Sequence, residues 1–218
     1  MFKKYGQLFS YPGTAGFSAT GLIARMPISM TSISLILLIS ATTGEYAIAG
    51  VVSASATLAT AIAMPQFARI IDRRGQAKVA RPLVLINATA IALAIVAITG
   101  GWPHWTWVAL AAVAGGAAPS IGAMVRARWI HTLPDKALQQ RAFSWESSLD
   151  EVVFILGPPL ATILATTVVP YAGSIAAALL LVVGTFLFTG QRRTEPPPAT
   201  GTERIASHRL LRGPMLIV

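Results

Sequence analysis

Six apolar stretches of similar length alternate along this chain with polar gaps: 17–39, 47–67, 82–99, 105–125, 143–167 and 171–189. Each approaches the ~20 residues that a helix needs to cross ~30 Å of hydrocarbon. The gaps around 41–46, 100–104 and 168–170 are short, so consecutive helices must form antiparallel hairpins; the others are longer. The predicted fold class is an all-α integral membrane protein, a bundle of six transmembrane helices occupying residues 1–190. After Gly190 the composition changes to QRRTEPPPATGTERIASHR, whose prolines, glycine and mixed charges cannot build a core. Residues 191–209 therefore read as a solvated linker. Apolar residues return at Leu210 and run through Pro214 to Val218, so 210–218 reads as the first turn or two of a seventh span, cut short.

Charge gives the bundle a direction. Lys3 and Lys4, then Arg69, Arg73, Arg74, Lys78 and Arg81, then Arg126, Arg128, Lys136 and Arg141, and finally Arg192, Arg193, Arg204, Arg209 and Arg212 fall in every second gap. The intervening gaps around Gly44, Trp102 and Val169 hold no Lys or Arg. Retention of positive loops in the cytoplasm then predicts a plasma-membrane (inner-membrane) protein with a cytoplasmic N-terminus. Of the 17 basic residues only Arg25 breaks the pattern, because it lies inside a helix.

Composition narrows the function classes. At 54 % hydrophobic and 11 % charged residues, no water-soluble domain of this length could cover its apolar surface, so the lipid bilayer is the first partner. The net charge of +9 is interleaved with spans and forms no stripe, so topology explains it and nucleic acid is not expected as a partner. The absence of cysteine removes disulfides, thiolate metal sites and a cysteine nucleophile. His104, His131 and His208 are isolated, with no metal-ligand spacing, and no phosphate-binding loop ends in Lys-Ser or Lys-Thr. No metal, cofactor or enzyme activity is expected. Polar residues separate Lys4 from the first apolar run, so that run is kept as a helix and not read as a cleaved signal. Trp102, Trp105 and Trp107 read as anchors at the outer interface.

Within the second span, Ala49, Ser53, Thr57 and Ala61 recur every fourth residue, a stripe on which another helix can pack closely or slide. Pro27, Pro65, Pro119, Pro158 and Pro159 lie in or at the ends of spans, where neighbours or water can satisfy freed carbonyls.

The loop after the second span carries a resemblance. It reads Ala68-Arg-Ile-Ile-Asp72-Arg73-Arg74-Gly75-Gln76-Ala77-Lys78. It is similar to the signature of the major facilitator superfamily of secondary transporters: Gly, three residues, Asp, a basic residue, any residue, Gly, any residue and two basic positions. Asp72, Arg73, Gly75 and Lys78 match, whereas Ala68 replaces the first Gly and Ala77 one cation. Physically, Asp72 can accept hydrogen bonds at a helix N-terminus, Arg73, Arg74 and Lys78 can donate to carboxylates or helix C-termini, and Gly75 permits a tight reversal. The resemblance implies a gating loop that latches two halves of a transporter in the outward-facing state. The plain alternative is a set of topology charges with a turn glycine. In the fifth span, Gly157-Pro158-Pro159 resembles the helix-bending signature of the superfamily's exporters, although Leu160, Ala161 and Thr162 replace its remaining glycines.

Arg25 and Asp150 lie at similar depth, each about nine residues inside a helix entered from the basic side, with Glu146 one turn before Asp150 and Glu151 adjacent. A charge there costs ~3 kcal/mol or more unless paired, so Arg25 is predicted to pair with Asp150 or Glu151, and Glu146 to snorkel. Two roles stay open: a structural ion pair, or a carboxylate that binds a proton or a cationic substrate. The resemblance implies the N-terminal half of a secondary transporter of the exporter class, moving small molecules by alternating access, with protons as a candidate coupling ion and a C-terminal half or second copy as partner. The alternatives are a non-transporting membrane scaffold or assembly partner, and a half-transporter that works as a dimer.

Overall fold

The computed structural model describes residues 3–198. The later linker and the expected seventh span lie outside the described residues. After a short helix at Lys3–Gly6 and a turn at Gln7–Ser10, six helices are long and apolar enough to cross a membrane: α1 (Thr14–Thr43), α2 (Tyr46–Arg74), α3 (Gln76–Thr99), α4 (His104–Thr132), α5 (Lys136–Thr167) and α6 (Ala172–Gly190). The described residues contain no strand. In hydrocarbon, backbone groups have no water to turn to, and the helix satisfies them within one segment.

Local chemistry sets where the helices break and turn. At Pro27 the missing N–H divides α1 into Thr14–Arg25 and Pro27–Thr43. Similarly, α4 consists of His104–Gly116 and Ile121–Thr132, parted at Ala117–Ala118–Pro119–Ser120. The reversal from α2 to α3 takes a single residue, Gly75, at φ 92° and ψ 155°, a conformation that a side chain would strain. At the start of α5, Asp135 accepts a hydrogen bond from Ala137 N at 3.2 Å.

The bundle has a basic end, which carries the N-terminus, the α2–α3 and α4–α5 connections and residues 191–198. Its core packs Phe17, Ala80, Val125, Trp129, Ala142 and Phe188. The far end packs Leu38, Ile39, Val52, Ile98, Trp107 and Ala111. Trp107 is thus 2 % exposed and belongs to the core, while Trp105 and Trp102 stay exposed at 71 % and 47 %. The helical period corrects the sequence expectation here, because residues 105 and 107 face opposite sides.

Helices α2 and α5 are the outer members: 17 % of the most apolar stretch of each is buried, against 39–50 % in the other four. The small-residue stripe on α2 splits. Ala49 and Ser53 are buried, with Ser53 hydrogen-bonded to Ser32 of α1, but Thr57 and Ala61 are exposed. The contact with α4 uses the neighbouring face instead, where Ser55 Oγ donates to Val108 O at 3.2 Å and Thr60 Oγ1 to Gly115 O at 2.9 Å. Against α1, α6 comes so close that a Cβ on Gly184 would lie 2.5 Å from Ala24 N.

Candidate functional site: a buried charge cluster and the basic end

The last turn of α1 before its Pro27 break, the second half of α4 and the basic half of α5 bring four charges together. Arg25 is 1 % exposed. Its Nε donates to Gly21 O at 3.2 Å, its Nη1 to Asp150 Oδ1 at 2.8 Å, and its Nη2 pairs with Glu146. Glu146 is fully buried. Its Oε1 also accepts from Ser18 Oγ at 2.7 Å and from Trp129 Nε1 at 2.8 Å. Burying a carboxylate is costly unless its lone pairs are filled, and three donors fill them here.

Asp150 differs from Glu146. Its side chain is 31 % exposed and its Oδ2 lies 3.6 Å from Nη2 of Arg126, itself 48 % exposed. Glu151 is exposed and outside the cluster. The expected partner Asp150 is therefore present, Glu151 is not, and Glu146 does not snorkel but sits at the centre. Residues 146 and 150 share a face at the i,i+4 spacing, whereas residue 151 is turned away by a further 100° or so.

An aromatic layer lies between this cluster and the basic end. Phe9 meets Trp129 and Trp145 edge-on, at centroid distances of 6.3 and 5.4 Å, and Phe17 meets Trp129 at 4.7 Å. Trp145 Nε1 donates to Ser18 Oγ at 3.2 Å, so the layer is hydrogen-bonded to the group that holds Glu146. Farther along the same two helices, Ser29 Oγ donates to Val153 O at 2.8 Å just past the Pro27 break. Gly157 of the Gly157-Pro158-Pro159 segment is buried against Ser29 and Met30, Pro158 is half-buried and Pro159 is exposed. Both prolines lie inside a continuous α5.

At the basic end, Asp72, Arg73, Arg74 and Lys78 are exposed and make no ion pair among the described residues, while Gly75 is buried. Asp72 lines a cavity of about 310 Å³ between α2 and the second half of α4, with Ser120, Ala123 and Pro196–Pro198 among its walls. The N-terminus of α3 is capped by Glu195, whose Oε1 accepts from Ala77 N at 3.0 Å, and not by Asp72.

The neighbouring Arg128 is fully buried. It donates to Gln76 Oε1 at 2.8 Å and to Gln191 O and Thr194 Oγ1 at 2.9 Å each, and lies 3.9 Å from the centre of the Phe188 ring. Residues 191–195 are consequently docked on the bundle, contrary to the solvated linker expected from their composition; Thr194 is 4 % exposed. No group of His, Asp and Glu able to hold a metal ion occurs among the described residues.

Residues 17–217, nearly the whole chain, match the family described as Major Facilitator Superfamily. The chain belongs to the major facilitator superfamily. It is a multi-pass membrane transporter, and its six spans form the kind of helical bundle that makes up half of the superfamily's fold. Comparison with curated proteins and with solved structures finds no match. In this superfamily member, the residues that sequence reasoning missed are Ser18, Trp129, Arg126, Arg128, Gln76 and Glu195. Arg126 and Arg128 were hidden by their location in a basic gap, where topology already explained them.

Proposed function

We propose that this chain acts as one rocking unit of a proton-coupled secondary transporter that exports small molecules across the plasma membrane, with its basic end in the cytoplasm. The observation that carries this reading is the Arg25–Glu146–Asp150 cluster, set between α1 and α5 inside the bundle. Intramembrane ionisable residues are expensive and mark ion or substrate pathways. Glu146 supplies rigidity, and the partly open Asp150 is the group that takes and releases the proton. A one-sided set of basic residues supports the orientation.

Alternating access in repeat-built transporters is the rocking of one bundle against another about a site near the midplane. The outward faces of α2 and α5 support a second bundle as partner, supplied by a C-terminal half or a second copy. They leave Leu58 and Ile62, and Phe154, Ile155 and Ile163, exposed. The exposure of Asp72 at the open cavity, with Arg73, Arg74 and Lys78 beside it, supports its role as a latch that meets a helix end of that partner. Gly157-Pro158-Pro159, seated on the α1 break, supports the exporter assignment.

The test is reconstitution into vesicles containing a pH-sensitive dye, followed by addition of cationic, neutral and anionic candidate substrates. A substrate of this protein moves protons with it, and Asp150→Asn abolishes that movement while leaving the protein folded. Proton movement equal in the wild type and Asp150→Asn would refute coupling through this carboxylate.

A further inference from the structure

The charges around Asp150 are unequal in their freedom. Glu146 is fully buried and held by Arg25, Ser18 and Trp129. Arg25 is engaged at all three nitrogens. The loose contact is between Arg126 and the second oxygen of Asp150, whose 3.6 Å separation exceeds hydrogen-bond reach, while Asp150 Oδ1 is held by Arg25. Arg126 makes no hydrogen bond to any described residue, although it belongs to a membrane-spanning helix.

Other titratable groups leave this pair alone. On α4, Arg128 is committed to Gln76, Gln191 and Thr194, and His131 is exposed a turn nearer the basic end. Glu151 on α5 is exposed, and the N-terminal segment places Tyr5 against Trp145, not against the cluster. Packed along α5, α6 contains no titratable residue.

We infer that Arg126 and Asp150 are an exchangeable pair whose ligand is a monovalent organic anion: a proton on Asp150 releases Arg126, and the anion replaces the carboxylate on the guanidinium. This rests on the transporter reading above and names its substrate class.

Charge balance decides between anion and cation. With both acids ionised, Arg25 and Arg126 offset Glu146 and Asp150. A proton on Asp150 leaves one positive charge uncompensated, and it resides on the guanidinium that is half open. One negative charge restores neutrality, and a carboxylate fits the guanidinium fork at two points. A cation drawn to Asp150 meets two guanidinium groups instead, and their repulsion is strengthened by the low dielectric around them. Proton and anion together add no net charge, so the cluster is neutral both before the exchange and with the anion bound.

The test is equilibrium binding to the full chain in detergent, read by fluorescence of Trp129 and Trp145, which border the cluster, with benzoate and tetraphenylphosphonium as probes. Benzoate is expected to bind saturably and more tightly at mildly acidic than at neutral pH. Arg126→Gln should weaken it about tenfold or more, Arg126→Lys should retain part of the affinity, and Asp150→Asn should bind at neutral pH as the wild type does at acidic pH. Each variant is first shown by gel filtration to be folded, and Asp150→Glu replaces Asp150→Asn if the latter is not; it should keep the pH dependence. Preference for tetraphenylphosphonium, unaltered benzoate binding by Arg126→Gln, or no binding of benzoate overturns the inference. Binding needs no flux, so a protein that binds benzoate as stated yet moves no proton in vesicles refutes the transport reading and leaves this one intact.

Discussion

A carboxylate without exposed surface keeps its charge only while its donors stay in place, and Glu146 has three, two from α1 and one from α4. The donors are unequal. Hydrogen bonds from uncharged groups inside membrane proteins are worth about 0.6 kcal/mol on average, whereas breaking a buried ion pair costs about 3–5 kcal/mol. Ser18→Ala should therefore lower thermal stability in detergent slightly, and Glu146→Ala should lower it severely, because Arg25 then loses its fully buried partner. Arg25→Ala combined with Glu146→Ala should be less damaging than the sum of the two, which a double-mutant cycle in unfolding free energy measures; additivity would mean that the two do not interact. The pairing of Arg25 with an acid on α5 was legible in the sequence, since both lie at one depth. That the acid at the centre is Glu146 was not, because an unpaired Glu near a helix entrance looks as though it could reach water. Only the lid of Phe9, Trp129 and Trp145, drawn from three parts of the chain, removes that water.

Among the helices, close approach and docking decide the arrangement. Gly184 brings α6 against α1 so tightly that a methyl group would collide with the Ala24 backbone, while nothing lies within 4 Å of one placed on Gly190. Gly184→Ala is expected to reduce folded yield and melting temperature by an amount equivalent to about 1–3 kcal/mol, and Gly190→Ala to leave both nearly unchanged. Equal behaviour of the two would contradict this packing. The spans themselves were legible to within a few residues, because hydropathy and length leave lipid-spanning chain few choices. The α2 stripe was half legible: periodicity locates a small-residue face but not its partner, and α4 packs one position around the helix. The Arg128 network was illegible, since Gln76, Gln191 and Thr194 come from separated segments. If that network holds residues 191–195 on the bundle, Arg128→Ala should speed tryptic cleavage after Arg192 and Arg193; an unchanged cleavage rate would show that the segment is held by other contacts.

For the whole molecule, orientation is the prediction that tests the membrane placement of everything else. The chain has no cysteine, so single introduced thiols report without background. Cysteines in place of Thr43 and Val168, exposed at the far end, should react with an impermeant reagent in intact cells; those replacing Arg73 and Lys136 should react only after permeabilisation. The reverse pattern would invert the molecule. Gln76, three residues past Arg73 at the start of α3, would be a misleading probe, because it is 4 % exposed and bonded to Arg128 and Met124 O. That same docked strap changes how force enters the bundle. From the end of α6 the strap runs to Pro198, which lines the same cavity as Asp72. Any tug along the strap at Pro198 is thus carried first by Glu195 at the head of α3 and by Arg128, so that α3, α4 and α6 are pulled together at one corner of the base, as a lever is pulled by its rim.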